Sequence, residues 1–525
     1  MAFATEPSIR RGFRSSPVYR VKGLKPLFYP HPELTAENCI ALKNVIMTLE
    51  DTFEARKGYT KFNATAISES ATVKVINGLY QATFKGGATR IIEVAGTKVY
   101  TDDGTTRVDI TGSVVLTNGE DSRNRFVFYN DKIIGTNNVD PTYYVPSVGN
   151  AVALTGMQWT KCRDLVVHRN MLIALGTTES AGGSTVEHPT RMRWNDVDVN
   201  TFTGADITSW PTRHVFDLYE DGAPIIGAAD NNGSLIVFKS DGVYPCSLEW
   251  GSGFIEMIIN ENGIRKGFEP VATNSIITRP EFTWVIAHDG PYIVLPDMSV
   301  QYVGQDFRKF WDDLPEARLE KAVSWIRPRD HQVRTLISSA SGASGPGHDQ
   351  VMVWNWRTND FWLDQYKKPM NMGATFKVAS VEYDILGDTV GFVNQGNTGT
   401  DDDGEDIGWI VTMSPNDLSL PGRTKTVLNM RSIVKSASSK KTINILATLD
   451  QGYLPPRTAT STIGASMFFD SGLSYNEGLL WLGGTTERVS TFINRTLETI
   501  APSWTGDGTL GLVGYQVDFI PQSSS

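Results

Sequence analysis

Cysteine is scarce in this chain, with three in 525 residues at positions 39, 162 and 246 and no CxxC spacing among them. An odd number of widely spaced thiols excludes a disulfide framework or a zinc knuckle and points to buried thiols in a reducing compartment. Histidine is also sparse, with seven at 31, 168, 188, 214, 288, 331 and 348. None stands in an HxH, HExxH or HxxxH relation, so no zinc site can be assembled from local spacing. Glycine-rich stretches such as Gly251-Ser252-Gly253 lack the following Lys-Ser/Thr of a phosphate loop, and there is no GxSxG elbow. No apolar run approaches the ~20 residues that span a bilayer, and Met1 to Arg14 lacks the apolar core of a signal peptide. Synthesis and folding in a cytoplasm, with no membrane span, are therefore expected. The formal charge is −10, and no long run of Lys or Arg follows the first 30 residues. That balance argues against sequence-reading contact with nucleic acid, which needs basic groups to displace phosphate counterions. The chain is expected not to be an enzyme and to carry no catalytic residues, cofactor or metal.

What is present is a long succession of short strands. With 40% hydrophobic residues, most of the chain should pack as a globule. The segments 125–138 and 164–177 are two versions of one hairpin, turning at Asn130-Asp131 and Arg169-Asn170. A second design recurs in GSLIVFKSDGVY (233–244) and FTWVIAHDGPYIV (282–294), turning at Asp241-Gly242 and Asp289-Gly290, with Tyr244 and Tyr292 just after. AGTKVYTDDG carries a comparable Tyr100. Such dipeptides supply turn geometry and mark strand pairs rather than helices. Further hairpins are predicted at 348–366, around Thr358-Asn359-Asp360, and at 381–394. A spacing of roughly 40 to 50 residues per unit matches a four-stranded propeller blade. The fold class expected is all-β: a six- or seven-bladed β-propeller over 65–412, preceded by an arm and hairpin over 1–64. An additional antiparallel β domain over 413–525 is built together with the N-terminal segment.

One interruption reads as helical: Phe307, Phe310, Trp311 and Leu314 share one helix face within Gln305 to Arg318. His288-Asp289 has the form of an acid–base pair but is better explained as turn chemistry. Trp354, Trp356, Phe361, Trp362 and Tyr366 read as the half-buried face of a blade rather than a sugar platform. A sialidase would need repeated SxDxGxTW boxes, and the one degenerate copy, Ser474 to Trp481, lies outside the propeller.

Two charged features stand apart. Arg10, Arg11, Arg14, Arg20, Lys22 and Lys25 form a basic arm in an acidic chain, the candidates for subunit contact. Asp401, Asp402, Asp403, Glu405 and Asp406 pack five carboxylates into a loop that lacks the ligand set and closing Glu of a calcium site.

The layout of 41–62, with Asn44-Val45, a strand, an acidic turn at Glu50-Asp51, a strand and Arg56-Lys57-Gly58-Tyr59, resembles the lead-in segment of tail hub, nozzle and DNA-stabilisation proteins of short-tailed bacteriophages. RMRWNDVDVNTFTG (191–204) and EDGAPIIGAADNNGSLIVFKSDGVY, followed by ENGIRKGFEPVATNSII and WVIAHDGPYIV, carry the likeness further. It covers residues 40 to 320 well and the C-terminal domain in outline. The resemblance implies a structural virion protein, a homo-hexameric ring below the portal and adaptor, with tail fibre or spike proteins as further neighbours. Packaged double-stranded DNA would be retained by the ring and pass through it during ejection, with the acidic loop 401–406 facing the lumen or its gate. The alternative is a receptor- or carbohydrate-binding propeller of a tail fibre or spike.

Overall fold

The computed structural model describes residues 14–522 apart from 19–22, 26–34, 36, 48–52, 182–183, 199–202, 205–206, 219–221, 251–254, 260–264, 341–344, 379–380, 436–440, 464–485 and 508–510. Its chain contacts define two units, one of Thr60–Arg357 with Tyr366–Gly396 and the other of Met1–Tyr59, Thr358–Gln365 and Asn397–Ser525.

The first unit is built from tight turns. Asn130 and Asp131 take φ of 47° and 56°, and Arg169 and Asn170 take 47° and 62°. Two successive positive φ values make the turn whose twist matches that of paired strands. Arg125–Tyr129 accordingly pairs with Lys132–Thr136, and Trp159–His168 with Met171–Ala181. The Asp-Gly hairpins are built differently. Ser240-Asp241 and His288-Asp289 occupy the turns, and Gly242 and Gly290 each begin the next strand. A Cβ at Gly290, where φ is 137°, would meet the Tyr302 ring at 2.8 Å, so glycine is required there.

These hairpins extend into antiparallel sheets that follow one another along the chain. The first blade runs Ile76–Thr83, Thr89–Ala95, Lys98–Asp102 and Arg107–Asp109. The second adds Tyr143–Val145 and Val152–Ala153 to the Arg125 hairpin, and the third adds Ser184–Trp194 and Val215–Asp217 to the Trp159 hairpin. Ile225–Asn231, Ser234–Lys239, Gly242–Trp250 and Ile255–Ile259 make the fourth, and Ile277–Arg279, Phe282–Ala287, Gly290–Val294 and Val300–Tyr302 the fifth. Val323–Arg327, Gln332–Ile337 and His348–Asn355 belong to the sixth. The seventh uses the later part of Asp360–Val378, then Val381–Asp388 and Val393–Gly396. Its outer position is taken by the start of the unit, where Phe62 N–H donates to the Val393 carbonyl at 2.8 Å and Ile67 N–H to that of Gly391 at 2.8 Å. Gln81 and Lys377 exchange hydrogen bonds between the first blade and the seventh. Closing the last blade with the first segment joins the ends of a seven-bladed propeller.

Burial explains why the middle strands read as unbroken apolar runs. Leu235 and Val237 pack with Ile173, Leu175 and Trp194 on one side, while Ile236 and Phe238 pack with Ile276, Val285 and Val294 on the other. Ile133 and Ile134 divide in the same way between two cores. Successive side chains of a strand point to opposite faces, so a strand covered on both faces is apolar at every position. The fifth and sixth blades meet through Trp284, stacked on Trp354 with 5.2 Å between ring centres and donating from Nε1 to Ser324 Oγ at 3.2 Å. Cys162 and Cys246 sit inside these cores, and burial pushes both thiols up to about 12.

The helical stretch is shorter than its periodicity suggests. A 3-10 turn at Gln305–Phe307 leads into Arg308–Asp312, and a second helix, Glu316–Leu319, starts after Pro315. Proline cannot donate to the preceding turn and breaks the run there.

The second unit is a two-sheet sandwich. One sheet has the order Val45–Met47, Phe53–Ala55, Gly511–Pro521, Lys425–Lys435 and Thr486–Leu497, with Arg14–Val18 also on Gly511–Pro521. The other carries Cys39–Lys43, Gly408–Met413, Ile500–Asp507, Lys441–Leu449 and Leu454–Ile463 in that order. Trp504, fully buried, donates from Nε1 to Ser432 Oγ of the facing sheet at 2.7 Å and packs on Tyr515. N- and C-terminal segments thus form one β domain. Residues 397–412, which the sequence places in the last blade, belong to this unit, because Gly408–Met413 pairs with Cys39–Lys43 and Ile500–Asp507.

Trp284→Ala is expected to remove a fully buried indole and lower propeller stability by about 3–5 kcal/mol. Denaturant unfolding followed by tryptophan fluorescence will report it as an earlier transition.

Candidate functional site

The Arg56-Lys57-Gly58-Tyr59 motif and the acidic loop 401–406, read from distant parts of the sequence, form one structure within the sandwich unit. Arg56 is buried, with only 2% of its surface exposed. Its Nη1 and Nη2 donate to Asp402 Oδ1 at 2.8 Å and Oδ2 at 2.6 Å, a two-pronged pair. Nε donates to Asn44 Oδ1 at 3.0 Å, Nη1 also to the Lys57 carbonyl at 3.1 Å, and Nη2 to the Gln365 carbonyl at 2.7 Å. All five guanidinium donors are therefore used, the condition for a buried ion pair to be tolerated. Asn44, at φ 56°, accepts from Gln365 N–H at 2.6 Å as well and donates to the Gly408 carbonyl at 2.6 Å.

Gly58 lies so close to the returning chain that a Cβ would fall 1.6 Å from the Asp401 carbonyl oxygen. Tyr59 is fully buried, opposite Asp402 in a parallel bridge, and its carbonyl accepts from Asp403 N–H at 2.9 Å. The motif that leads the chain towards the propeller therefore grips the segment that returns from it.

This places the five loop carboxylates in different surroundings. Asp402 is buried on Arg56, so it cannot face a lumen as the sequence reading has it. Asp401 is half-buried and accepts from Gly404 N–H at 2.8 Å, and Asp403 is half-buried too. Glu405 and Asp406 are exposed. The loop is a small hairpin with Asp401 opposite Asp406 and Asp402 opposite Glu405.

Of the basic arm, Arg10, Arg11, Arg20 and Lys22 lie outside the described residues. Arg14 is exposed on an edge strand that pairs with 515–519, where Ser15 Oγ donates to Asp518 at 2.9 Å. Lys25 is half-buried, and its N–H donates to the Cys39 carbonyl at 2.7 Å. The Glu50-Asp51 turn and the degenerate box at Ser474 also lie outside the described residues, whereas the strands flanking the turn pair as Val45 opposite Ala55.

The recurring aspartates are structural. Asp241 accepts from Tyr244 Oη at 2.7 Å, and Asp289 from Tyr292 Oη at 2.7 Å. Tyr100 occupies the same register after its turn, but Thr97 stands where the other turns have aspartate. His288 approaches Glu316 at 3.3 Å, while Asp289 is committed to Tyr292. Of the aromatic group, Trp354, Phe361, Trp362 and Tyr366 are buried, and Trp356 is half-buried beneath the Arg279 guanidinium at 4.5 Å. Among the described residues no helix is long and apolar enough to cross a membrane.

No known protein-family model matches the chain, and no curated protein matches it. Solved structures similar to it include the Neurospora crassa Pan2 WD40 domain, at 11% identity and a TM-score of 0.32, covering 71% of this chain and 94% of that one. BBS1N in complex with ARL6DN is similar at 10% identity and a TM-score of 0.38, covering 65% and 98%. The extracellular domain of a hybrid two-component system from B. thetaiotaomicron is similar at 10% identity and 0.37, over 71% of this chain and 42% of that one.

Arg56→Ala leaves Asp402 buried without its partner and is expected to cost about 3–5 kcal/mol, whereas the paired exchange Arg56→Met with Asp402→Leu recovers most of it. Asp406→Asn, at an exposed position, is expected to stay within about 0.5 kcal/mol of the parent. Chemical denaturation of the four proteins measures all three differences.

Proposed function

We propose that this chain is a structural virion protein of a short-tailed bacteriophage, a nozzle or hub subunit of the tail. Six copies form a ring below the portal and adaptor, retain packaged double-stranded DNA and pass it during ejection. The observation that carries this reading is the sandwich unit, which combines both ends of the chain and, among the described residues, leaves the Leu454–Ile463 edge of one sheet unpaired. Leu454–Ile463 stands last in its sheet, and no residue from 454 to 461 is buried. Tyr453 and Phe492 of the same unit are 89% and 69% exposed. Open strand edges are templates for pairing with another chain, and exposed aromatics favour a partner surface. A closed ring needs head-to-tail contacts between unlike faces, and this edge is assigned to one of those faces.

In this reading the propeller is a rigid wall, in keeping with its doubly covered strands. Glu405 and Asp406 are the acidic residues assigned to the lumen or its gate. They repel phosphate within about 8 Å at physiological salt, so DNA slides without sticking. The alternative, a receptor- or carbohydrate-binding spike, would call on the aromatic group, most of which is buried.

Native mass measurement and electron microscopy of the full chain, alone and with portal and adaptor proteins, are expected to show six-fold rings. Trimers or monomers with glycan affinity would overturn the assignment. Particles carrying Glu405→Gln with Asp406→Asn are expected to assemble normally and to differ in DNA retention or ejection, and unchanged behaviour would remove these residues from the gate.

A further inference from the structure

In the propeller unit, residues of inner strands and of the segments leading into them surround a cavity of about 130 Å³ lined by Glu120, Arg123, Arg125, Arg163, Glu320 and Lys321, among others. This is more than the ~30 Å³ share of one water and is large enough for a tetrahedral oxyanion. In an acidic chain, this lining carries four cationic residues and two carboxylates.

The two carboxylates are not equivalent. Glu120 is already shared, meeting Arg318 Nη1 at 2.7 Å and Arg123 Nη2 at 3.4 Å. Arg123 also donates to the Lys321 carbonyl and, from Nε, to Asn371 Oδ1 at 3.0 Å, so it is a fixed part of the wall. Arg125 spends Nε on the buried Asp164 at 2.7 Å and Nη1 on the Thr273 and Ile276 carbonyls at 2.9 and 3.2 Å. Its Nη2 has no hydrogen-bond partner among the described residues. Arg163 makes one long Nε contact, to Thr273 Oγ1 at 3.4 Å, and its terminal amines have no hydrogen-bond partner among the described residues. Glu320, on the lining, and Asp164, behind Arg125, are the carboxylates that act on Arg163.

The groups around the cavity register withdrawal from bulk water first and charge second. Burial lowers Arg163 from its ordinary value against the attraction of Glu320 and Asp164, and burial with the neighbouring Arg318 brings Arg123 down to about 9 against the pull of Glu120. Burial, then repulsion from Arg123 and Arg318, holds His348 well below the usual imidazole range. The amines of Arg125 and Arg163 that find no acceptor on the protein are not among its buried unsatisfied atoms, so they are open to water, and an anion of matching geometry can take the place of that water.

We propose that this cavity binds one phosphate-type oxyanion, with Arg163 and the free amine of Arg125 donating to its oxygens and Lys321 supplying charge. Glu320 opposes the anion and sets the affinity. The phosphate could be free or part of a nucleic-acid backbone, since both present the same tetrahedral oxygens. Guanidinium is suited to such a group because its planar donors match two oxygens at once.

The test is calorimetric titration of the full chain with inorganic phosphate against chloride at matched ionic strength. Phosphate is expected to bind saturably and chloride not. Arg163→Gln is expected to weaken phosphate binding by roughly tenfold, the loss of one charge-assisted contact. Glu320→Gln is expected to tighten it, which misfolding cannot mimic. Displacement of bound phosphate by a short DNA duplex assigns the site to a phosphodiester, and its retention assigns the site to free phosphate. Coincident phosphate and chloride titrations, or equal affinities in parent and both variants, would overturn the proposal.

Discussion

The ion pair between Arg56 and Asp402 is the constraint on which the sandwich unit depends. Two charges buried together are stable only when every remaining donor and acceptor is served, because the desolvation of each ion otherwise exceeds their attraction. Here the guanidinium reaches Asn44, Lys57, Gln365 and Asp402, which come from separate parts of the chain. The same contact explains a hairpin that should repel itself. Like charges directly opposite on paired strands are destabilising, yet Asp401 faces Asp406 and Asp402 faces Glu405. Neutralising Asp402 and bonding Asp403 to the Tyr59 carbonyl hold the turn in place. The loop then presents Glu405 and Asp406 to solvent as a by-product of being anchored.

The propeller rests on a different principle. The middle strands at 133–134 and 235–238 each serve two cores, so neighbouring blades there share residues that alternate along one strand. Polar contacts between inner strands add direction to that packing. Arg125 reaches across to Asp164, whose other oxygen accepts from Ala228 N–H, so three successive blades share one buried carboxylate. Arg334 and Trp325 likewise converge on Asp384 at 2.7 and 2.9 Å. The Asp–Tyr clasps after the Asp-Gly turns tie individual hairpins, which is why they recur without chemistry attached.

Much of this was legible in the sequence because it is local. Asn130-Asp131 and Asn170 announce their turns through residue types that tolerate positive φ, and LIVF at 235–238 announces a strand covered on both sides. What was hidden depends on distance. Asp402 reads as one more solvated acid until Arg56, 346 residues away, is placed beside it. Gly408–Met413 reads as one more blade strand, and only its pairing with Cys39–Lys43 assigns it to the sandwich. Gly58 looks like ordinary turn glycine until the Asp401 backbone crosses it. The cavity lined by Arg125 and Arg163 had no sequence signal, since its residues come one to three at a time from widely spaced segments.

Amide hydrogen exchange on the unmodified full chain tests the central place of the Arg56–Asp402 clasp most directly. Asn44 N–H donates to Leu363, Arg56 N–H to Asn44 and Asp403 N–H to Tyr59. These three amides are expected to exchange with the slowest group of the sandwich unit, far behind those of Glu405 and Asp406. Exchange of Arg56 and Asp403 at the rate of the exposed loop would contradict the account, because the clasp would then open without unfolding the unit it is held to organise.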